Sequence, residues 1–125
     1  MDVYEIIIFG DGTKEWYLNG EAHREGGPAV ERGDGTKVWY LNDKRHREDG
    51  PAYECFDGSK EWYLNGKRHR EDGPAVEYSD GTKMWYLNGC KVTREEHAKR
   101  TSKVKSLTVK QISNLLGYEV AIIKG

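Results

Sequence analysis

DGSKEWYLNGKRHREDGPAVEYS, residues 57–79, is the stretch on which the fold turns. It is one copy of a unit that recurs in strict register. Trp16, Trp39, Trp62 and Trp85 each follow the last by 23 residues (39 − 16 = 23), and Asp11, Asp34, Asp57 and Asp80, each followed by Gly, keep the same step. Inside the unit, Lys60-Glu61-Trp62-Tyr63-Leu64 is rich in aromatic residues and bounded by Asp57-Gly58 and Asn65-Gly66, the punctuation of a β-strand between turns. On a pleat, Trp62 and Leu64 share one face with Lys60, while Glu61 and Tyr63 share the other. A strict repeat of this length predicts a stacked array in which each unit buries its apolar face on its neighbours.

Outward from that unit, residues 3–9 read as the first strand, and Asp11-Gly12 reads as a two-residue hairpin turn. Lys14–Leu18 is the return strand, ended by Asn19-Gly20. The stretch Glu21–Gly27 reads as a polar loop, and Pro28 opens the next strand. The fourth copy departs from the pattern after Gly89: Val92 stands where His is expected and His97 where Pro is expected, as in a capping unit. Thr93-Arg94-Glu95-Glu96 is a capping box and predicts a short polar helix. Thr108–Gln111 is a second one, followed by the apolar stripe Val109, Ile112, Leu115 and Leu116, and Tyr118–Lys124 reads as a strand. The expected architecture is mainly β: a single-layer twisted antiparallel meander of eight strands from four hairpin repeats over 1–92, with a small α/β cap over 93–125.

Charged residues make up 33% of the chain and hydrophobic ones 36%, a pair compatible with disorder, but four Trp and eight Tyr argue for a thin folded sheet. Residues 1–92 carry 13 Lys+Arg against 18 Asp+Glu, and residues 93–125 carry 7 against 3. The repeats are therefore acidic (13 − 18 = −5) and the tail basic (7 − 3 = +4). Either the halves neutralise each other, or the tail binds nucleic acid or an anionic membrane through Lys99, Arg100, Lys103, Lys105 and Lys110. Cys55 and Cys90 occupy different phases of the repeat, which reads as free thiols in a reducing, cytoplasmic setting. No apolar run is long enough to span a membrane, and no signal peptide is evident.

Three sets of residues are candidates for chemistry. The Trp column (Trp16, Trp39, Trp62, Trp85) reads as structural, packing over Ala29, Ala52 and Ala75; the alternative is a bare row for stacking bases. His23-Arg24, His46-Arg47 and His69-Arg70 form a row at about 9.5 Å per unit, two strand spacings. That is too wide for two His to share a metal, so neither metal nor cofactor is expected. Each Arg precedes Glu25, Glu48 or Glu71 and is expected to pair with it. The functional alternative is an Arg/His edge that grips acidic groups on a partner, joined by an outward row of Tyr17, Tyr40, Tyr63 and Tyr86. Polar residues in identical copies make rows, whereas a catalytic site converges unlike groups, so no enzyme is expected. The strand at 3–9 carries Ile6, Ile7, Ile8 and Phe9 with no Lys or Pro to guard an edge, which predicts a homodimer through it.

Trp62, Asn65, Gly66, Lys67, His69, Asp57 and Gly58 resemble the positions that define MORN-type repeats, which also recur every 23 residues. Residues 3–92 are similar to that family in a variant form, with two residues between Trp and Asn and with Arg24, Arg47 and Arg70 where the family prefers Gly. The resemblance implies a curved antiparallel sheet that serves as a protein- or lipid-binding scaffold, without catalysis. The tail resembles C-terminal segments of small bacteriophage proteins of unassigned function. Together these resemblances imply a phage accessory protein that docks on and inhibits a host protein, such as a nuclease or a CRISPR-type defence component.

Overall fold

The structure, a computed structural model, describes residues 1–102. It is mainly β, an open antiparallel sheet followed by one short helix. The second helix and the final strand expected from residue 108 onward lie outside the described residues.

The first hairpin pairs β1 (Tyr4–Ile8) with β2 (Lys14–Leu18) over their full length, Tyr4 opposite Leu18 and Ile8 opposite Lys14. The loop is not the two-residue turn that Asp-Gly suggested. Gly12 N–H donates to Phe9 O, and Phe9 N–H donates to Thr13 O, so three residues close the hairpin, with Gly12 at φ +90°. This is a type I turn with a glycine bulge. Asp11 favours it because its Oδ1 accepts from Thr13 N–H at 2.9 Å. The same bonds recur at Asp34, Asp57 and Asp80.

The two-residue turns stand elsewhere. Asn19 and Gly20 have φ of 49° and 81°, and Asn42-Asp43, Asn65-Gly66 and Asn88-Gly89 repeat the pair of positive values, the signature of a type I′ hairpin. Each closes a second hairpin where a polar loop was expected. The return strands are β3 (Glu21–Ala22), β7 (Lys44–Arg45), β11 (Lys67–Arg68) and β14 (Cys90–Val92). Their partners are β2, β6 (Tyr40–Leu41), β10 (Tyr63–Leu64) and β13 (Lys83–Leu87).

The remaining strands are β4 (Val30–Glu31), β5 (Lys37–Val38), β8 (Tyr53–Glu54), β9 (Lys60–Glu61) and β12 (Val76–Glu77). They complete a sheet in the order β1-β2-β4-β5-β8-β9-β12-β13-β14, with β3 also on β2. The unit therefore holds two hairpins rather than one, and among the described residues fourteen strands replace the eight expected from the repeats. The hand-over falls at Trp. Trp39 N–H donates to Ala52 O toward the sheet, and Trp39 O accepts from His46 N–H toward the second hairpin. Trp16 and Trp62 make the same exchange.

The core is a thin column. Ala29, Ala52 and Ala75 are fully buried beside Val38 and Val76, and Tyr63 and Leu87 join them. Hydroxyl and amide bonds link successive units: Thr13, Thr36 and Ser59 side-chain oxygens accept from the backbone N–H of Gly33, Phe56 and Ser79. The helix α1 (Arg94–Thr101) starts as its capping box predicts, with Thr93 Oγ1 accepting from Glu96 N–H at 3.0 Å. Its one buried residue, His97, donates from Nε2 to Arg70 O at 2.6 Å and so ties the helix to the last regular loop. Among the described residues no helix is long and apolar enough to cross a membrane.

Candidate functional site

The residues after each second hairpin build one module three times. Arg47 Cζ lies 3.9 Å from the centre of the Trp39 ring. Its Nη1 donates to Pro51 O and to Glu54 Oε1, both at 3.1 Å, and its Nε to Asp49 Oδ1 at 3.0 Å. Arg24 lies 3.9 Å over Trp16 and donates to Pro28 O and Glu31; Arg70 lies 3.8 Å over Trp62 and donates to Pro74 O, Glu77 and Asp72. A guanidinium flat on an indole gains from the ring's negative face and keeps its in-plane donors free for such bonds. The Gly before each Pro makes room for it. A Cβ on Gly50 would stand 2.9 Å from Arg47 Cζ, and Gly73 is the same toward Arg70. In the fourth unit Arg94 of α1 replaces the missing loop Arg, 5.9 Å from the Trp85 ring.

This arrangement corrects two expectations. Each Arg pairs with the Glu seven residues on, across the Gly-Pro turn, rather than with Glu25, Glu48 or Glu71 beside it. And the Arg side chains do not form a free cationic edge: they are a third exposed or less, and each is bonded through Nη1 to a carbonyl and a carboxylate of its own unit. Exposed at that edge instead are carboxylates. Glu25, Glu48 and Glu71 are 83%, 82% and 78% exposed, and Asp49 and Asp72 are 87% and 85% exposed.

The histidines are ties between units. His23, His46 and His69 Nδ1 accept from the backbone N–H of Asn42, Asn65 and Asn88, at 3.1, 2.9 and 2.9 Å. An N–H can only donate, so in the neutral ring the proton sits on Nε2. That atom faces the neighbouring Glu at 3.6–3.7 Å. Each His thereby orients the positive-φ Asn of the following turn.

The Tyr row is not freely outward. Tyr63 is buried, and Tyr17, Tyr40 and Tyr86 are half-buried. Tyr63 OH donates to Glu61 Oε1 at 3.0 Å, and Arg68 donates to the same oxygen from Nε at 3.0 Å. Arg45 and Arg68 lie over Tyr63 at 5.3 and 5.9 Å. Burial is the largest influence and disfavours the charge on Arg68, but the hydrogen bonds and charge interactions with Glu61 and Tyr63 together outweigh it and raise the guanidinium pKa above its ordinary value. Tyr17 repeats the pattern at the first unit, its pKa raised chiefly by the hydrogen bond to Glu15.

The candidate binding residues thus divide between two faces. On the Trp face lie two equivalent grooves. One, of about 900 Å³, has Trp62 and Leu64 among its lining with Arg47, Glu48 and Asp49 on one side and His69, Arg70, Glu71 and Asp72 on the other; Thr101 also borders it. The other, of about 610 Å³, repeats this with Trp39 and Leu41 between the Arg24 loop and the Arg47 loop. On the Tyr face, Tyr63, Tyr86, Lys67 and Arg68 line a third hollow of about 550 Å³. The residues missed from sequence are Leu41, Leu64 and the loop carboxylates; Leu at every second position from a Trp was the available signal.

At the far edge, Ile6, Ile7, Ile8 and Phe9 are 57%, 40%, 68% and 45% exposed, and among the described residues β1 has a strand neighbour on one side only. Cys55 is half-buried and Cys90 exposed, both as free thiols. Comparison with family models, curated proteins and solved structures found no match to this chain.

Proposed function

We propose that the chain is a non-catalytic protein-binding repeat module that works through its Trp face. The observation that supports this is the recurrence of one groove in register, with the same Trp and Leu floor and an Arg-Glu pair on each wall. Repetition gives a long contact surface of uniform chemistry, which suits docking along a partner. The resemblance of the tail gives that docking its form: blocking a host nuclease or defence protein in the host cytoplasm. The test is affinity capture from bacterial lysate with wild type and with Glu48→Lys/Glu71→Lys, followed by reconstitution with the purified partner. A stoichiometric protein complex lost in the variant supports the reading. Nucleic acid in the eluate, retained by the variant, replaces it with binding through the basic tail.

The proposal includes a homodimer through β1. Its support is the exposed Ile6–Phe9 run at a strand whose outer edge is unpaired among the described residues, a position that sheets ordinarily guard.

A further inference from the structure

Resting on the binding-module reading, we infer that the Trp-face grooves take a basic, extended peptide in the polyproline II conformation, with an apolar residue at every third position. Three observations converge on this occupant. The first is the floor: Trp62 with Leu64, and Trp39 with Leu41, offer apolar surface between polar walls. Aromatic-lined grooves are the usual receptors of polyproline II segments.

The second is charge. The ridge between the grooves carries Arg47, Glu48 and Asp49, and it lines both of them. Arg47 is stacked on Trp39 and bonded to Pro51, Glu54 and Asp49, whereas the Glu48 and Asp49 side chains are 82% and 87% exposed. An approaching ligand therefore meets carboxylates first, and a Lys or Arg complements them.

The third is spacing. β5 and β9, which lead into Trp39 and Trp62, stand two strands apart with β8 between them, so the grooves repeat at about 9.5 Å. Polyproline II places same-face residues i and i+3 about 9.3 Å apart. An extended β-strand repeats its face at about 6.7 Å, and two turns of α-helix span about 10.8 Å. Polyproline II keeps the closest step. Apolar residues at i and i+3 enter successive grooves, and a cation between them lies on the Glu48–Asp49 ridge.

The probe is a fluorescein-labelled peptide of four Pro-Leu-Lys triplets, titrated by anisotropy with the full-length chain at low salt. Saturable binding is expected, with a shift in Trp emission. A peptide of the same composition with its leucines out of the three-residue period, and one with Glu for Lys, should each bind about tenfold more weakly or worse. Glu48→Lys/Glu71→Lys should weaken the first peptide about tenfold with an unchanged melting temperature; if that variant melts early, Glu48→Gln/Glu71→Gln serves, with a smaller loss. Equal binding of the shuffled or acidic peptide, or indifference to the Glu variants, overturns the inference. So does binding that appears only in Lys103→Gln/Lys105→Gln/Lys110→Gln, which would make the chain's own tail the occupant. A concentration-dependent doubling of mass that excludes the peptide would make it a second copy, and also overturns the inference. If a captured protein is lost with the Glu variants while no peptide binds, the binding-module reading survives and this occupant falls.

Discussion

At Arg47 one side chain meets an indole face, a backbone carbonyl and two carboxylates. Lys keeps the charge but loses the flat stack and the forked donors, so Arg47→Lys should cost about 1–2 kcal/mol, read as a lower midpoint in urea. Trp62 is half-buried, and Trp62→Ala should cost about 3 kcal/mol, the low end for a large core aromatic; an unchanged melt would return the Trp row to the role of bare stacking surface. The turn aspartates set the acid response. Backbone and then side-chain bonds from Thr13, Thr36, Ser59 and Thr82 hold the carboxyls of Asp11, Asp34, Asp57 and Asp80 below their ordinary pKa. A lowered folded pKa gives stability that is present above the unfolded value and is lost as pH falls through the folded one. The contribution of these aspartates to the melting temperature should be intact above about pH 4 and be lost below it. Asp34→Asn/Asp57→Asn keeps an oxygen acceptor without the titration, and should make that drop shallower.

The elements were legible to different degrees, for physical reasons. The Asp-Gly turns and the Trp-bearing strands stand out because they need glycine at positive φ and aromatic alternation. The second hairpins were missed because their return strands, such as Lys44–Arg45, are only two or three residues long and mostly polar. Such strands exist because Arg45 and Arg68 lie over tyrosines and Arg45 O and Arg68 O accept from Gly66 and Gly89 of the following turns, and none of these contacts leaves a local pattern. The charge of the edge was misjudged because counting residues cannot tell a stacked Arg from a solvated one. Two glycines separate the turn and packing requirements. Gly66→Ala should cost about 1–2 kcal/mol through its φ of 79° alone, since its Cβ would meet Lys44 at an ordinary 3.6 Å. Gly50→Ala should cost stability and also push Arg47 off Trp39, changing Trp emission, which Gly66→Ala should leave alone.

For the whole molecule, the two ends of the sheet differ. β14 is followed directly by α1, pinned through His97 to Arg70 O, while among the described residues β1 ends the sheet, with Ile and Phe exposed. Light scattering at tens of micromolar should give twice the chain mass of 14.3 kDa. Ile7→Lys should give a folded monomer. A wild-type mass of one chain, with Ile7→Lys misfolded, would assign β1 a cover from within its own chain.

The side-chain ties between units run from His46 to Asn65 and from Thr36 to Phe56, reaching about one unit ahead and no further. The first three units therefore present their successors with the same His and hydroxyl acceptors. Excising residues 46–68 would join Arg45 to His69 with these acceptors still matched, giving a shorter protein that folds in the same way. The number of units then acts as a ruler. Each added or removed copy changes the reach of the Trp face by about 9.5 Å.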